Sequence, residues 1–257
     1  MKREAIFILA ILAFISSPVV AADDTSPVPG EQVERVFLAS DGAEVEYLLY
    51  VPKSFASSQA WPMVFFLHGR GESHGPLSLV AKWGPPRFAA EGQSLPYVLV
   101  SPQCPSEDSW KTDTQQGRLV ELLDHITESL SVDTDQICLT GLSMGGYGTW
   151  RLAADHPSRF KSVVPICGGG DPSDAEALKD LPIWVFHGDR DTAVPFEQSV
   201  EMVKAIQQAG SSRIRFTTLE FFGHNCWSAA YATPQLWEWM FDQSKRKRGQ
   251  SKKTNGS

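Results

Sequence analysis

The sequence predicts a single α/β domain, built on a mostly parallel twisted sheet with helices covering both faces. Three observations carry that expectation. Residues 63–67, 97–101 and 183–186 are short, continuous apolar runs, the pattern of strands buried on both sides. They alternate with segments of helical spacing, such as residues 112–130, where Leu119, Leu122, Leu123, Ile126 and Leu130 recur on one face. The chain is 257 residues long, 42% hydrophobic and 21% charged, which suits one domain with a large core.

The elements follow in order. Residues 33–38 and 44–50 read as strands joined around Ser40-Asp-Gly-Ala43, where Asp-Gly marks a hairpin. Residues 63–67 form a strand ended by His68-Gly69. Residues 77–91 read as a helix broken by Gly84-Pro85-Pro86. A strand at 97–101 and the helix at 112–130 come next, then a short strand at 137–140 and a helix at 147–155. Strands at 162–166 and 183–186 precede a helix at 196–209 closed by Gly210. A strand at 213–219 and a helix at 229–243 complete the domain, which spans 33–243. Strands alternating with helices imply crossover connections and therefore a parallel sheet.

Both ends differ from this body. Met1-Lys-Arg, an apolar run over 5–15 and small residues at 19–22 have the layout of a secretory signal peptide, with an uncleaved anchor as the alternative. The sequence therefore predicts an exported protein, periplasmic or secreted, with no transmembrane segment after processing. Residues 23–32 read as a flexible lead-in. The tail, 244–257, carries six basic residues and no acid and reads as disordered; with a whole-chain charge of −7, the remainder stands at −13. So acidic a body is ill-suited to nucleic acid, which needs a basic footprint. Cys104, Cys138, Cys167 and Cys226 show no CxxC or Cys/His metal spacing, and read as buried thiols or one incidental bridge. No cofactor or metal is implied.

Gly141-Leu-Ser-Met-Gly145 is the motif with chemical content. Alone it arises by chance in roughly one chain in ten of this length. Here an apolar strand enters it and a helix leaves it, the context of a nucleophile elbow. A serine hydroxyl needs a base, and the base needs an orienting acid. His224, in the loop after the last strand and beside Gly223, is the candidate base. Asp191, deep in the loop His187-Gly-Asp-Arg-Asp191, is the candidate acid; Asp189 is the alternative and reads otherwise as a brace. His68 and His187 read as structural, His125 and His156 as solvated, and His74 as an open question. Each of Ser143, Asp191 and His224 follows a separate strand, so all three converge on one sheet edge. The oxyanion donors would be the backbone N–H groups of Met144 and Arg70, the latter in His68-Gly-Arg-Gly-Glu72. Trp110, Tyr147 and Trp227 are candidates to line an aryl or sugar pocket, although aromatics so placed more often belong to the core.

These stretches, with Ser101-Pro-Gln-Cys104, Pro165-Ile-Cys-Gly-Gly-Gly170 and Gly223-His-Asn-Cys-Trp227, resemble the exported esterase or "predicted peptidase" branch of the α/β-hydrolases. That branch is akin to prolyl-oligopeptidase catalytic domains, dienelactone hydrolases and the phospholipase/carboxylesterase family. The resemblance spans about residues 33–243. It implies an α/β-hydrolase fold and Ser143, Asp191 and His224 as catalytic residues; His74 is a departure from the pattern. The segment 168–182 leaves room for a short helix and no cap domain, which suits a soluble or polymer-linked ester. The expected activity is serine carboxylesterase. A prolyl-oligopeptidase-like peptidase is the second reading, and a non-catalytic binding module the third.

Overall fold

Eight strands form one sheet: β1 (Gln32–Leu38), β2 (Glu44–Tyr50), β3 (Trp61–Leu67), β4 (Val98–Pro102), β5 (Val132–Leu142), β6 (Ser162–Ile166), β7 (Ile183–Gly188) and β8 (Ile214–Leu219). The computed structural model describes residues 27–242; the expected signal peptide, residues 23–26 of the lead-in and the basic tail lie outside them. The strand order is β1-β2-β4-β3-β5-β6-β7-β8. β1 and β2 pair antiparallel with their neighbours, and β4, β3, β5, β6, β7 and β8 run parallel.

The helices are α1 (Gly84–Ala90), α2 (Asp113–Ser129), α3 (Met144–Asp155), α4 (Ala175–Leu178), α5 (Phe196–Gln208), α6 (Trp227–Tyr231) and α7 (Pro234–Phe241). Two cores lie on opposite faces of the sheet. Met63, Phe65 and Leu67 of β3 join one core with Leu119, Leu122, Trp150 and Met202, from α2, α3 and α5. Val64 and Phe66 join the other with Ala89, Tyr231, Leu236 and Trp239, from α1, α6 and α7. Successive strand side chains point to opposite faces, so a strand covered on both sides reads as a near-continuous apolar run. This is the α/β-hydrolase fold.

Several boundaries depart from the sequence reading, each for a local reason. Gly84-Pro85-Pro86 does not interrupt a helix but starts one. The prolines occupy its first turn, where a missing N–H removes no hydrogen bond, and a 3₁₀ turn (Leu77–Lys82) precedes it. The expected helix over 229–243 is two helices, because Pro234 begins α7 after Thr233 has returned to extended backbone. β5 is longer than 137–140: its polar first half, with Asp135 exposed, pairs at Val132 with Trp61 of β3. α3 begins at Met144, immediately after the serine, three residues earlier than the apolar spacing indicated. The segment between Cys167 and β7 holds a 3₁₀ turn (Pro172–Asp174) and the single turn of α4. All four cysteines are free and buried, which removes the bridge reading.

Close backbone approach fixes how the serine turn sits on the sheet. A Cβ on Gly145 would fall 1.9 Å from the Leu67 carbonyl oxygen, and one on Gly141 would fall 2.5 Å from the Gly145 carbonyl oxygen. α3 therefore packs on the ends of β3 and β5 at a distance only glycine permits. Gly117, mid-way along the exposed side of α2, has nothing within 4 Å of its Cβ position. Chemical denaturation should thus separate the two substitutions. Gly145→Ala lowers stability by about 3 kcal/mol through backbone overlap, whereas Gly117→Ala raises it by about 0.5–1 kcal/mol through helix propensity. Equal midpoints for both variants would contradict this packing.

Candidate active site

Ser143 sits between β5 and α3 with φ 54° and ψ −117°, left-handed backbone that a non-glycine residue adopts only under constraint. The constraint is visible. Its N–H donates to the Ile166 carbonyl at 3.0 Å, its carbonyl accepts from Tyr147 N–H at 3.1 Å, and Gly145 is pressed against Leu67. The turn presents Oγ beyond the sheet edge. From the end of β8, His224 Nε2 lies 2.8 Å from Ser143 Oγ. From the end of β7, Asp191 Oδ2 lies 2.7 Å from His224 Nδ1. Three loops thus bring Ser143, His224 and Asp191 into one hydrogen-bonded chain.

Asp191 has a fully buried side chain, against 26% exposure for His224. Its Oδ1 accepts the N–H groups of Ala193 and Val194, each at 2.9 Å. Its Oδ2 also meets His187 Nε2 at 3.1 Å. Burial pushes this carboxyl up, but the His224 hydrogen bond and the two N–H groups outweigh it and hold it below the ordinary carboxylate range. Asp191 is therefore ionised near neutrality, and the proton shared with His224 rests on Nδ1. That leaves Nε2 unprotonated and able to accept from Ser143. Two acceptors, Asp191 Oδ2 and the Val194 carbonyl, face His187 Nε2, so the proton sits on that nitrogen; burial keeps His187 neutral. His187 braces the acid. Asp189 instead accepts the Phe221 N–H at 2.7 Å, which ties the β7 loop to the β8 loop.

Arg70 heads a 3₁₀ turn (Arg70–Glu72) and Met144 heads α3, so neither N–H has a partner within its own helix. The Arg70 guanidinium turns away, donating to the Ser106 and Asp108 carbonyls at 3.1 and 2.7 Å. His68, one of the most buried polar residues, organises this corner. Its Nδ1 donates to the Gly69 carbonyl at 2.7 Å, its Nε2 accepts the Cys104 N–H at 2.9 Å, and its carbonyl accepts from Trp110 Nε1 at 3.1 Å. Glu72, also buried, has its carboxyl pushed up by burial, against the field of Lys82 and a hydrogen bond from Gly69 N–H.

The three aromatic pocket candidates separate. Trp110 is a correction: it is 1% exposed and packs against Gly148, because its indole N–H is committed to the His68 carbonyl. Tyr147, one turn beyond Ser143, is half-buried, donates to Gln198 Oε1 and lies under the Lys111 ammonium. Trp227 stands perpendicular to the His224 ring, with centroids 5.4 Å apart. His74 is exposed. His125 is half-buried against Phe37 rather than fully solvated, and His156 is half-buried. A cavity of about 270 Å³ adjoins Tyr147 and is lined by Lys111, Arg151, Gly169, Asp171 and Asp174. A larger apolar groove lies at residues 95–97, which lead into β4, the sheet end opposite Ser143.

Sequence reasoning did not place two cysteines at the site. Cys167, with φ 40° at the end of β6, brings its sulfur within 4.8 Å of the polar atoms of Asp191 and His224. Cys226, two residues after His224, is a neighbour of the Cys167 thiol. The Cys167 thiol draws the Cys226 thiol below its usual range, while burial pushes the Cys167 thiol well up. Both residues stand in the quoted motifs, but nothing in their spacing marks them as neighbours.

A family model described as "Putative esterase" matches residues 90–246, and the chain belongs to this esterase family. A crystal structure of a thermostable esterase superposes with a TM-score of 0.73 at 32% identity, over 84% of this chain and 64% of that one. The dipeptidyl-peptidase 5 of Aspergillus oryzae is 22% identical over 255 residues, 80% of this chain. This chain spans about a third of the length of such peptidases (34%). A protein of Aspergillus terreus named "Probable feruloyl esterase C" is 28% identical over 176 residues, covering 64% of this chain and 62% of that protein.

His68 supplies a stability test for the corner that bears Arg70. Burial lowers its pKa from 6.5 to about 4. The unfolded chain therefore binds a proton near pH 6.5 that the folded chain refuses until about pH 4, and stability falls as pH drops through that window. The loss approaches about 3 kcal/mol at the acid end. Denaturant midpoints measured from pH 7 to pH 4 should show a shallower decline for His68→Asn than for the native chain. An identical decline would place the titration elsewhere.

Proposed function

We propose that the chain is an exported serine hydrolase that cleaves carboxylic esters through an acyl-enzyme. The observation that carries the proposal is the hydrogen-bonded run from Ser143 Oγ through His224 to Asp191, mounted on a strained strand–turn–helix elbow. In this reading His224 Nε2 takes the Ser143 proton as Oγ attacks the ester carbonyl. The developing oxyanion rests on the Met144 and Arg70 N–H groups, at the start of α3 and of the 3₁₀ turn. His224 then returns the proton to the departing alcohol, and a water activated by the same nitrogen releases the acid. Asp191 stays ionised, orienting the imidazole and stabilising its cationic form.

The export half of the proposal rests on the residues before position 23, and the substrate half on the cleft. Lys111, Arg151, Asp171 and Asp174 give the cavity beside Tyr147 a polar lining suited to a hydroxylated or otherwise polar group on a soluble or polymer-linked ester. The short 168–182 connection, a 3₁₀ turn and one turn of α4, itself lines that cavity at Gly169, Asp171 and Asp174. A peptidase reading is favoured by one observation, the match to dipeptidyl-peptidases over 80% of the chain.

A panel of nitrophenyl esters set against proline-linked amides separates the two, with ester turnover expected to dominate; faster amide turnover would reverse the assignment. Ser143→Ala should abolish fluorophosphonate labelling and lower kcat by about 10⁴-fold or more, and Asp191→Asn by about 10⁴-fold. Labelling that persists in Ser143→Ala would remove Ser143 from the mechanism.

A further inference from the structure

The apolar groove at the sheet end opposite Ser143 has no part in the proposed ester chemistry. Its cavity measures about 840 Å³ and is walled by rings from three places: Phe88 of α1, Tyr97 at the approach to β4, and Trp237 and Phe241 of α7. Tyr97 stacks on Trp237 with centroids 5.8 Å apart and on Phe241 at 5.4 Å, while Phe88 meets Trp237 edge-on at 6.1 Å. Two exposed acids, Glu238 and Asp242, line the same groove, one turn apart where α7 ends. The last turn of a helix carries the negative end of its dipole, and that of α7 contains no basic residue to offset it. Ring faces and carboxylates at the negative end of a helix together favour a cation on a long apolar stem.

We propose that this groove is the docking site of the chain's own basic segment, residues 245–248. Lys245, Arg246, Lys247 and Arg248 follow the groove residue Asp242 by three to six positions, and residues 243–257 contain no acid. Three residues span at most about 10 Å and six about 20 Å, so all four cations start within reach of the rings. A lysine or arginine fits both halves of the groove. Its methylenes cover the aromatic wall while its charged head stays at Glu238 and Asp242, and a cation over a ring face is attracted electrostatically. The described surface already uses that contact: Arg215 lies over Trp184 and Trp239 at 5.3 and 5.7 Å, and Lys111 over Tyr147 at 4.8 Å. An acyl chain would satisfy the rings alone, and the two carboxylates would repel an anionic lipid surface. Attachment favours the chain's own segment over a separate cation, since a short linker holds it at roughly millimolar effective concentration. Docked there, the segment shields apolar surface that otherwise faces solvent.

Both cores close within residues 33–241, so a chain ending at Asp242 keeps them whole and isolates what residues 243–257 contribute. The neutral dye Nile red reports the open groove. The full chain should take up little dye, the shortened chain should bind it, and a synthetic peptide of residues 243–257 should displace it. Raising salt from about 50 to about 500 mM should weaken that peptide about tenfold or more, and a peptide with glutamine at positions 245–248 should not compete. In the full chain, Glu238→Gln combined with Asp242→Asn should raise dye uptake and speed trypsin cleavage after residues 245–248 about tenfold, because cutting tracks the undocked fraction. Both positions are exposed, so the two substitutions leave the cores untouched. Equal dye uptake by the full and shortened chains, or tail cleavage unchanged by the two substitutions, would overturn the docking. So would dye exclusion that sets in only at concentrations where light scattering shows dimers, which would give the groove to a second copy. None of these readouts involves ester turnover, so the result stands whatever bond Ser143 breaks.

Discussion

One buried carboxylate organises the active edge of this molecule. Asp191 receives four hydrogen bonds: two from its own loop, one from His187 and one from His224. A carboxylate taken out of water is destabilising unless such donors replace the solvent. Its loop must therefore fold back on it, and both histidines must present N–H groups toward it. Each consequence is visible. The turn at Ala193 and Val194 sets the start of α5, His187 stays neutral at the end of β7, and His224 is held in the tautomer that leaves Nε2 facing Ser143. The charge that orients the imidazole also determines the shape of the loop that carries it.

The second constraint is steric and belongs to the other side of the site. Ser143 and Cys167 end adjacent strands, β5 and β6, and both have positive φ. Left-handed backbone at a non-glycine residue costs about 1–3 kcal/mol and persists only where packing leaves no alternative. The close approach of Gly145 to Leu67 supplies that packing, together with the Ile166 carbonyl that accepts the Ser143 N–H. The serine turn and the Arg70 corner are therefore mechanically joined. The residues that force Ser143 out of the sheet also fix the loop bearing His68, Gly69 and Arg70.

What could be read in the sequence follows from these constraints. The strand runs were legible because a doubly covered sheet favours apolar side chains at nearly every position, and Ser162–Ile166 matched its reading to the residue. Ser143, Asp191 and His224 could be placed together because each stands in the segment that follows a strand, and a parallel sheet delivers those segments to one edge. Trp110 was ambiguous because an indole is equally at home in a pocket or a core, and its place was decided by one hydrogen bond to a distant carbonyl. The helix limits around Gly84 and Thr233 were missed because proline both breaks a helix and begins one, according to whether the preceding residue is already extended. The Cys167–Cys226 neighbourhood was invisible in principle. The two are 59 positions apart in the numbering, and only the packing of the β8 loop on the end of β6 brings them together.

The position of His224 also bears on which bond the site would break. In the proposed mechanism the same Nε2 that takes the serine proton must hand it to the leaving group, so that group has to pass on the His224 and Trp227 side of Ser143. There the imidazole is partly exposed and Phe221 and Phe222 stand out in solvent. An alcohol leaves readily from such a wet position, because its expulsion needs little help from a proton. An amine is a far poorer leaving group and depends on well-placed protonation at the nitrogen. That calls for a leaving-group side held firmly against the imidazole; here Trp227 stands perpendicular to the His224 ring, whose side chain keeps 26% exposure. The tighter, polar cavity lies on the Tyr147 side, so selectivity in this arrangement belongs to the part of the substrate lodged there, while the departing group is left comparatively free.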